Sequence, residues 1–140
     1  MQIFIAIIVF VSYIFYYHYK SKKESLNENI EISKILENLK FGMMEYICTN
    51  SSSYTKNDVD MCISILENYL SEISVSRSKQ EGKSIISKTV LSLNELNEKC
   101  DSELIETNER ELICEVIILG GNLKGYNTKD EDITEEFREW

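Results

Sequence analysis

The cysteines are the residues of this chain whose chemistry depends most on spacing. Cys48 and Cys62 lie 14 positions apart, and the same separation divides Cys100 from Cys114. Across a helical hairpin, such a separation can place two side chains at one level, which is geometry that a disulfide accepts. Zinc-binding thiolates usually come in pairs about two to four residues apart, so no structural metal site is expected. Two disulfides and reduced thiols in an apolar core are the alternatives that remain.

Other reactive residue types are scarce or lack a partner. His18 is the single histidine, which removes a Ser-His-Asp triad, a Cys-His pair and a multi-histidine metal site within one chain. Gly120 and Gly121 lack the lysine and serine of a phosphate-binding loop. Carboxylate pairs such as Glu111 and Glu115 could exchange protons, but an acid-rich segment produces such pairs by chance. We therefore predict that the chain is not an enzyme and holds no cofactor and no metal.

Negative charge is concentrated in the last part of the chain. The net charge is −9, and residues 101–140 contribute −8 of it through 12 acidic and 4 basic residues. Such a surface repels nucleic acid and would attract a basic protein. Because aromatic and arginine side chains are common interface anchors, the predicted partner surface consists of Glu135, Glu136, Phe137, Arg138 and Trp140. The alternative is that both rings pack onto the body of the protein and hold the terminus.

The elements that position these residues are predicted to be helices. Apolar residues recur at spacings of three and four along four segments, which are residues 32–47, 59–73, 85–100 and 113–117. Thr55 and Thr107 have the residue type of a helix N-cap, and the polar residues 74–82 form a predicted connection. A further box-like start at Asp132 predicts a short C-terminal helix. Residues 24–140 are thus expected to form one all-α domain, a bundle of about four amphipathic helices plus that short helix.

Residues 1–23 are predicted to be a separate unit, a membrane anchor with a basic flank. The stretch Ile3–Tyr17 reads IFIAIIVFVSYIFYY and carries no charge. As a helix it covers roughly 22 Å, against a hydrocarbon core of about 30 Å, and the tyrosines and lysines that follow suit the headgroup layer. The small residues of a signal-peptide cleavage site are missing, which favours a signal-anchor that is retained.

The orientation of the anchor decides the compartment of the domain. Lys20, Lys22 and Lys23 follow the apolar stretch, and basic residues mark the cytoplasmic side. The prediction is a single-pass protein of the inner (plasma) membrane with its body in the cytoplasm, where thiols stay reduced. The alternative is a periplasmic body, in which Cys48, Cys62, Cys100 and Cys114 would form disulfides.

One resemblance to known proteins rests on Leu93–Cys100, on Leu104–Thr107, Arg110, Glu111 and Cys114, and on the ending Asp132–Trp140. This part of the chain resembles small bacterial helical proteins of unknown function. The resemblance covers about residues 93–140. It implies a small bacterial non-enzyme, and it brings no ligand or catalytic residue with it.

The function expected from these features is binding of a protein. We predict a membrane-anchored helical protein-binding module with an acidic partner-facing region. One concrete version is an immunity or inhibitor protein, which needs no catalytic groups. The alternative is a small structural subunit of a larger membrane complex.

Overall fold

The computed structural model describes residues 2–140, with side chains described from residue 10 onward except those of residues 24, 26 and 27. The described residues form four α-helices and no strand, so the predicted all-α class is confirmed. The helices are α1 (Gln2–Thr49), α2 (Lys56–Val75), α3 (Lys79–Lys99) and α4 (Thr107–Leu123).

The chain divides into two units, and the division falls within α1 after Glu31. In the first unit, every side chain from Phe10 to Tyr19 is exposed. Among the described residues, no helix combines the length and the apolar character needed to cross a membrane. This finding does not support the predicted transmembrane helix, although residues 3–9 of the predicted anchor Ile3–Tyr17 lie outside the described side chains.

The second unit, Ile32–Trp140, is built around α2, which lies against both α3 and α4. The end of α1 contributes Ile32, Ile35, Leu39 and Met43, all buried at helical spacing as the sequence predicts. These residues join one apolar core with the buried faces of the other three helices. Burial of a large apolar side chain stabilises a fold by about 1.5–3 kcal/mol, so this core is the main source of stability.

A buried polar contact fixes the spacing between α2 and α4. The Tyr69 hydroxyl donates a hydrogen bond of 2.7 Å to the Ile117 carbonyl oxygen. The two helices approach closely here because Gly120 has no side chain. A Cβ atom at that position would lie 2.8 Å from Tyr69 Cε1 and 3.1 Å from Leu70 Cδ2.

The start of α2 follows the sequence prediction. The Asp58 carboxylate accepts hydrogen bonds from the Thr55 backbone N–H at 2.9 Å and from the Thr55 hydroxyl at 2.6 Å. Asp58 therefore ties the residue before the helix to its first turn and places a negative charge at the positive end of the helix dipole.

The predicted connection over residues 74–82 is too long. Helix α2 continues to Val75, and α3 already begins at Lys79. The Ser78 hydroxyl accepts a hydrogen bond of 3.1 Å from the Glu81 N–H, and the Glu81 carboxylate accepts one of 2.8 Å from the Arg77 N–H. The Ser-x-x-Glu spacing of Ser78 and Glu81 is the sequence signal for this helix start.

The predicted short C-terminal helix is wrong, because residues 133–137 form turns. One helical hydrogen bond is present there, of 3.1 Å from the Arg138 N–H to the Thr134 carbonyl oxygen. The Asn94 side chain of α3 bonds the Phe137 carbonyl oxygen at 2.9 Å and the Glu139 N–H at 3.3 Å. Contact with α3 thus supplies the hydrogen bonds that a further helical turn would have supplied internally.

Candidate functional site

The residues of the predicted partner surface at the end of the chain differ in how far they are buried. Phe137 and Trp140 are partly buried and pack against the core of the bundle. Glu135 and Glu136 are exposed. The aromatic side chains therefore contribute to holding the terminus, and the glutamates are the part of this surface that faces solvent.

Glu136 and Phe137 share one contact on α3. Lys83 Nζ lies 2.8 Å from Glu136 Oε2 and 5.7 Å from the centre of the Phe137 ring. Both charged side chains are more than half exposed, and exposed ion pairs of this kind contribute little to stability.

Arg138 is engaged in a local network. Its Nη1 atom donates to Asp132 Oδ2 at 2.7 Å, to Thr134 Oγ1 at 3.2 Å and to Cys114 Sγ at 3.2 Å. Burial opposes ionisation of Asp132, but hydrogen bonds from Thr134 and the charge of Arg138 lower the pKa of this carboxyl. Arg138 therefore contributes to the fold of the terminus, and its guanidinium is already occupied within the chain.

The four cysteines are free thiols in the structure. Cys48 is exposed, whereas Cys62, Cys100 and Cys114 are buried. Burial, followed by the charges of Cys100 and Glu109, raises the pKa of the Cys62 thiol to about 12. A nucleophilic thiolate at Cys62 is therefore strongly disfavoured at neutral pH. Among the described residues, no group of three or more histidine, cysteine or acidic side chains is placed to hold a metal ion.

An acid-lined cleft of about 450 Å³ lies between the end of α1 and the start of α4. Its walls include Glu45, Tyr46 and Thr49 from α1 and Glu106, Thr107 and Glu109 from the other side. Of the residues that the structure describes, no lysine or arginine lines it. The three glutamates carry a formal charge of −3, which outweighs the roughly +0.5 charge of the helix N-terminus. The cleft is thus suited to a cation.

Tyr46, which lines this cleft, stacks on a second tyrosine. The Tyr46 and Tyr54 rings are 5.9 Å apart between centres and inclined by 12°. Tyr54 is only 4% exposed, and its hydroxyl makes no hydrogen bond to any residue that the structure describes. Burial, followed by the charges of Glu109, Tyr46 and Glu106, raises the pKa of Tyr54 to about 12. These neighbouring charges disfavour a negative charge on the Tyr54 oxygen, so this tyrosine stays protonated at neutral pH.

Two hydrogen bonds fix the loops that follow α1 and α3. The Ser53 hydroxyl donates a hydrogen bond of 2.7 Å to the Cys100 carbonyl oxygen at the end of α3. The Asn97 side chain accepts one of 2.9 Å from the Ile105 N–H, which fixes the segment that leads into α4. The loop after α1 is therefore joined to the end of α3, and the loop after α3 is tied back to the same helix.

The sequence pattern does not reveal this cleft. Tyr46 fits the apolar face of a helix, and Glu109 fits the first turn of α4, so each residue has a sufficient local explanation. The cleft arises only because two segments separated by about 60 residues meet. Comparisons with known proteins found no matching family model, no matching curated protein and no matching solved structure.

Proposed function

We propose that the chain is a membrane-anchored helical module that binds a basic protein partner. The observation that supports this most is the placement of charge in residues 101–140. Eleven of their 12 acidic residues are exposed, and Glu109 is the one that is partly buried. An acidic surface speeds association with a basic partner and disfavours acidic competitors. An immunity or inhibitor protein is the concrete form of this proposal, since blocking a basic protein requires a complementary surface and no reaction.

The binding test compares variants of the full chain in detergent. In a capture experiment, reversing the charge of two exposed residues of α4 (Glu111→Lys with Glu115→Lys) should abolish recovery of the partner. The matched control is Glu37→Lys, which changes an exposed acid on α1. Recovery should also fall as the salt concentration rises. Equal recovery by both variants, or capture independent of salt, would contradict the proposal.

Membrane anchoring is the second part of the proposal. The exposed side chains of residues 10–19 support it, because covering such an apolar surface with lipid lowers the free energy.

We place the body on the cytoplasmic side of the inner membrane, with a periplasmic body as the alternative. Cys48 provides the test since it is an exposed thiol. With a cytoplasmic body, a membrane-impermeant maleimide should label Cys48 only after permeabilisation, and labelling of intact cells would reverse the orientation.

The same exposed side chains also fit the alternative of a small structural subunit of a membrane complex. In that case the anchor itself would contact other subunits. Replacing residues 3–17 with an unrelated transmembrane helix discriminates between the two functions. A binding module should keep its activity after the replacement, whereas a structural subunit should lose it.

A further inference from the structure

We propose that residues 10–23 bind the headgroups of anionic phospholipids, an inference that rests on the proposed membrane anchoring. Residues 1–23 carry a charge of +3 from Lys20, Lys22 and Lys23 and contain no acidic residue. The rest of the chain carries −12, from 12 basic and 24 acidic residues. All three lysines are exposed. A positively charged segment therefore adjoins the apolar one in a chain that is otherwise acidic, and it complements a negatively charged leaflet.

Aromatic side chains precede the lysines on both sides of the helix. Six phenylalanine and tyrosine residues lie within residues 10–19, and each is 64–72% exposed. Phe10, Tyr13 and Tyr17 share one side, where the rings of Tyr13 and Tyr17 stack with their centres 6.5 Å apart. Phe15 and Tyr19 lie on the opposite side. A helix that lies flat on a membrane has one apolar and one polar side, so this surface favours a helix that enters the lipid end-on.

The three lysines, Lys20, Lys22 and Lys23, form a lysine collar at the level expected for lipid headgroups. Lys20 and Lys23 share one side of α1, and Lys22 lies on the side opposite Lys20. Tyr16 to Lys23 span about 10 Å along the helix axis, and a headgroup layer is roughly 6 Å thick. Tyrosine rings prefer this layer, and lysine side chains extend into it. The lysine collar can therefore contact phosphate groups of lipids around the whole helix.

The acidic residues that follow offset the lysine collar only in part. Glu24 comes directly after it in the sequence and opposes one of its three charges. Glu28 and Glu31 lie about 12 and 17 Å beyond Lys20 along the helix, which is more than the Debye length of about 8 Å at physiological salt. The charge next to the headgroups therefore remains positive.

The test measures which lipid lies beside the lysine collar when the full chain is reconstituted into vesicles. The chain carries a fluorophore at Ser21→Cys together with Cys48→Ser, since Ser21 is exposed and the other three cysteines are buried. The vesicles contain equal amounts of phosphatidylcholine and phosphatidylglycerol, and one or the other lipid carries a quenching nitroxide close to its headgroup. Quenching should show phosphatidylglycerol enriched about fivefold beside the label, and high salt should reduce this enrichment.

Two triple variants locate the preference. Replacing Lys20, Lys22 and Lys23 by glutamine should abolish the enrichment, because it removes the attraction between the lysine collar and the lipid phosphates. The matched control removes the same charge from exposed lysines outside residues 10–23, with Lys34→Gln, Lys56→Gln and Lys79→Gln. The control should keep the enrichment of the unchanged chain.

Equal quenching by the two lipids would overturn the inference, and so would an enrichment that survives in the variant without the lysine collar. A label that neither lipid quenches would also overturn it, because protein, such as a second copy of the chain, would then cover the segment. In each of these cases the anchoring itself stands if the chain floats with the vesicles. A chain that floats with neither neutral nor anionic vesicles would overturn the proposed anchoring and the inference with it.

Discussion

Tyr54 and Tyr69 are both buried, yet their hydroxyl groups meet different surroundings. The Tyr69 hydroxyl donates to the Ile117 carbonyl oxygen inside the core. The Tyr54 hydroxyl has no such partner among the described residues, and its ring stacks on that of Tyr46. The Tyr69 hydroxyl therefore stabilises the fold through a hydrogen bond, whereas Tyr54 stabilises it through the packing of its ring.

At the residue scale, two glycines of helices should respond in opposite ways to alanine. Gly120→Ala should destabilise the protein by about 1–3 kcal/mol, because the added Cβ would collide with the hydrogen-bonded ring of Tyr69. Gly42→Ala meets no atom within 4 Å and should stabilise the protein by about 0.5–1 kcal/mol through helix propensity. Urea unfolding of both variants measures the difference. Equal changes in the free energy of unfolding would show that the contact between α2 and α4 has room for the added methyl group.

The buried thiol of Cys62 predicts a loss of stability in alkali. Its pKa is raised from 9.0 to about 12 in the folded protein, so above pH 9 the unfolded chain releases a proton that the folded chain keeps. The protonated Cys62 thiol does not lower the free energy of unfolding at neutral pH. As the pH rises from 9 towards 12, this free energy decreases by up to about 1.4 kcal/mol per pH unit.

Urea unfolding at pH 7.5 and pH 10 tests this contribution. The variant Cys62→Ala should be less stable at pH 7.5 because it leaves a small cavity. It should also lose less stability between the two pH values than the unchanged chain does. Some pH dependence should remain, since the pKa of Tyr54 is raised as well. An unchanged pH dependence in Cys62→Ala would contradict the assignment.

At the scale of elements, the start of α2 depends on one carboxylate. Asp58→Ala should cost about 1 kcal/mol, because it removes both hydrogen bonds to Thr55. Asp60→Ala is the matched control two positions later in the same helix, and it removes only an exposed ion pair with Lys40. Urea unfolding should show a clear loss for the first variant and little change for the second.

The same contact predicts a response to acid. The hydrogen bonds from Thr55, opposed by burial and assisted by Lys99, lower the pKa of Asp58 below 3.8. The stabilisation is therefore present above pH 3.8 and is lost as the pH falls through the lowered value. In Asp58→Asn, the free energy of unfolding should fall less between pH 5 and pH 3 than in the unchanged chain. An equal fall in both would contradict the role of Asp58.

The sequence predicts helices well and contacts between them poorly, for a physical reason. The buried faces of residues 32–47, 59–73 and 85–100 follow from the helical period, which is a local property. The Asn94 contact with Phe137 and the pairing of Tyr46 with Tyr54 depend on the folded chain. The overlong connection predicted over residues 74–82 has a different cause, because the Ser-x-x-Glu spacing of Ser78 and Glu81 is a local signal for a helix start.

At the scale of the whole molecule, the attachment of the C-terminal segment to α3 can be tested through Trp140, the single tryptophan. Asn94→Ala removes the hydrogen bonds to Phe137 and Glu139 and should expose the indole, which shifts its fluorescence to the red. Asn108→Ala, a change at an exposed asparagine, should leave the spectrum unchanged. An unshifted spectrum in Asn94→Ala would show that apolar packing and the hydrogen bonds of Arg138 hold the segment without Asn94.

The contact between Tyr69 and Ile117 also sets an order of events during synthesis. These residues are 48 positions apart, so α2 leaves the ribosome well before the carbonyl group that its tyrosine binds. At roughly 5–20 residues per second, the interval is about 2–10 s. During that time α3 is the first cover available for α2, because it follows after only three residues. The side of α2 that carries Tyr69 therefore stays uncovered for seconds in the nascent chain, and a chaperone could act on it.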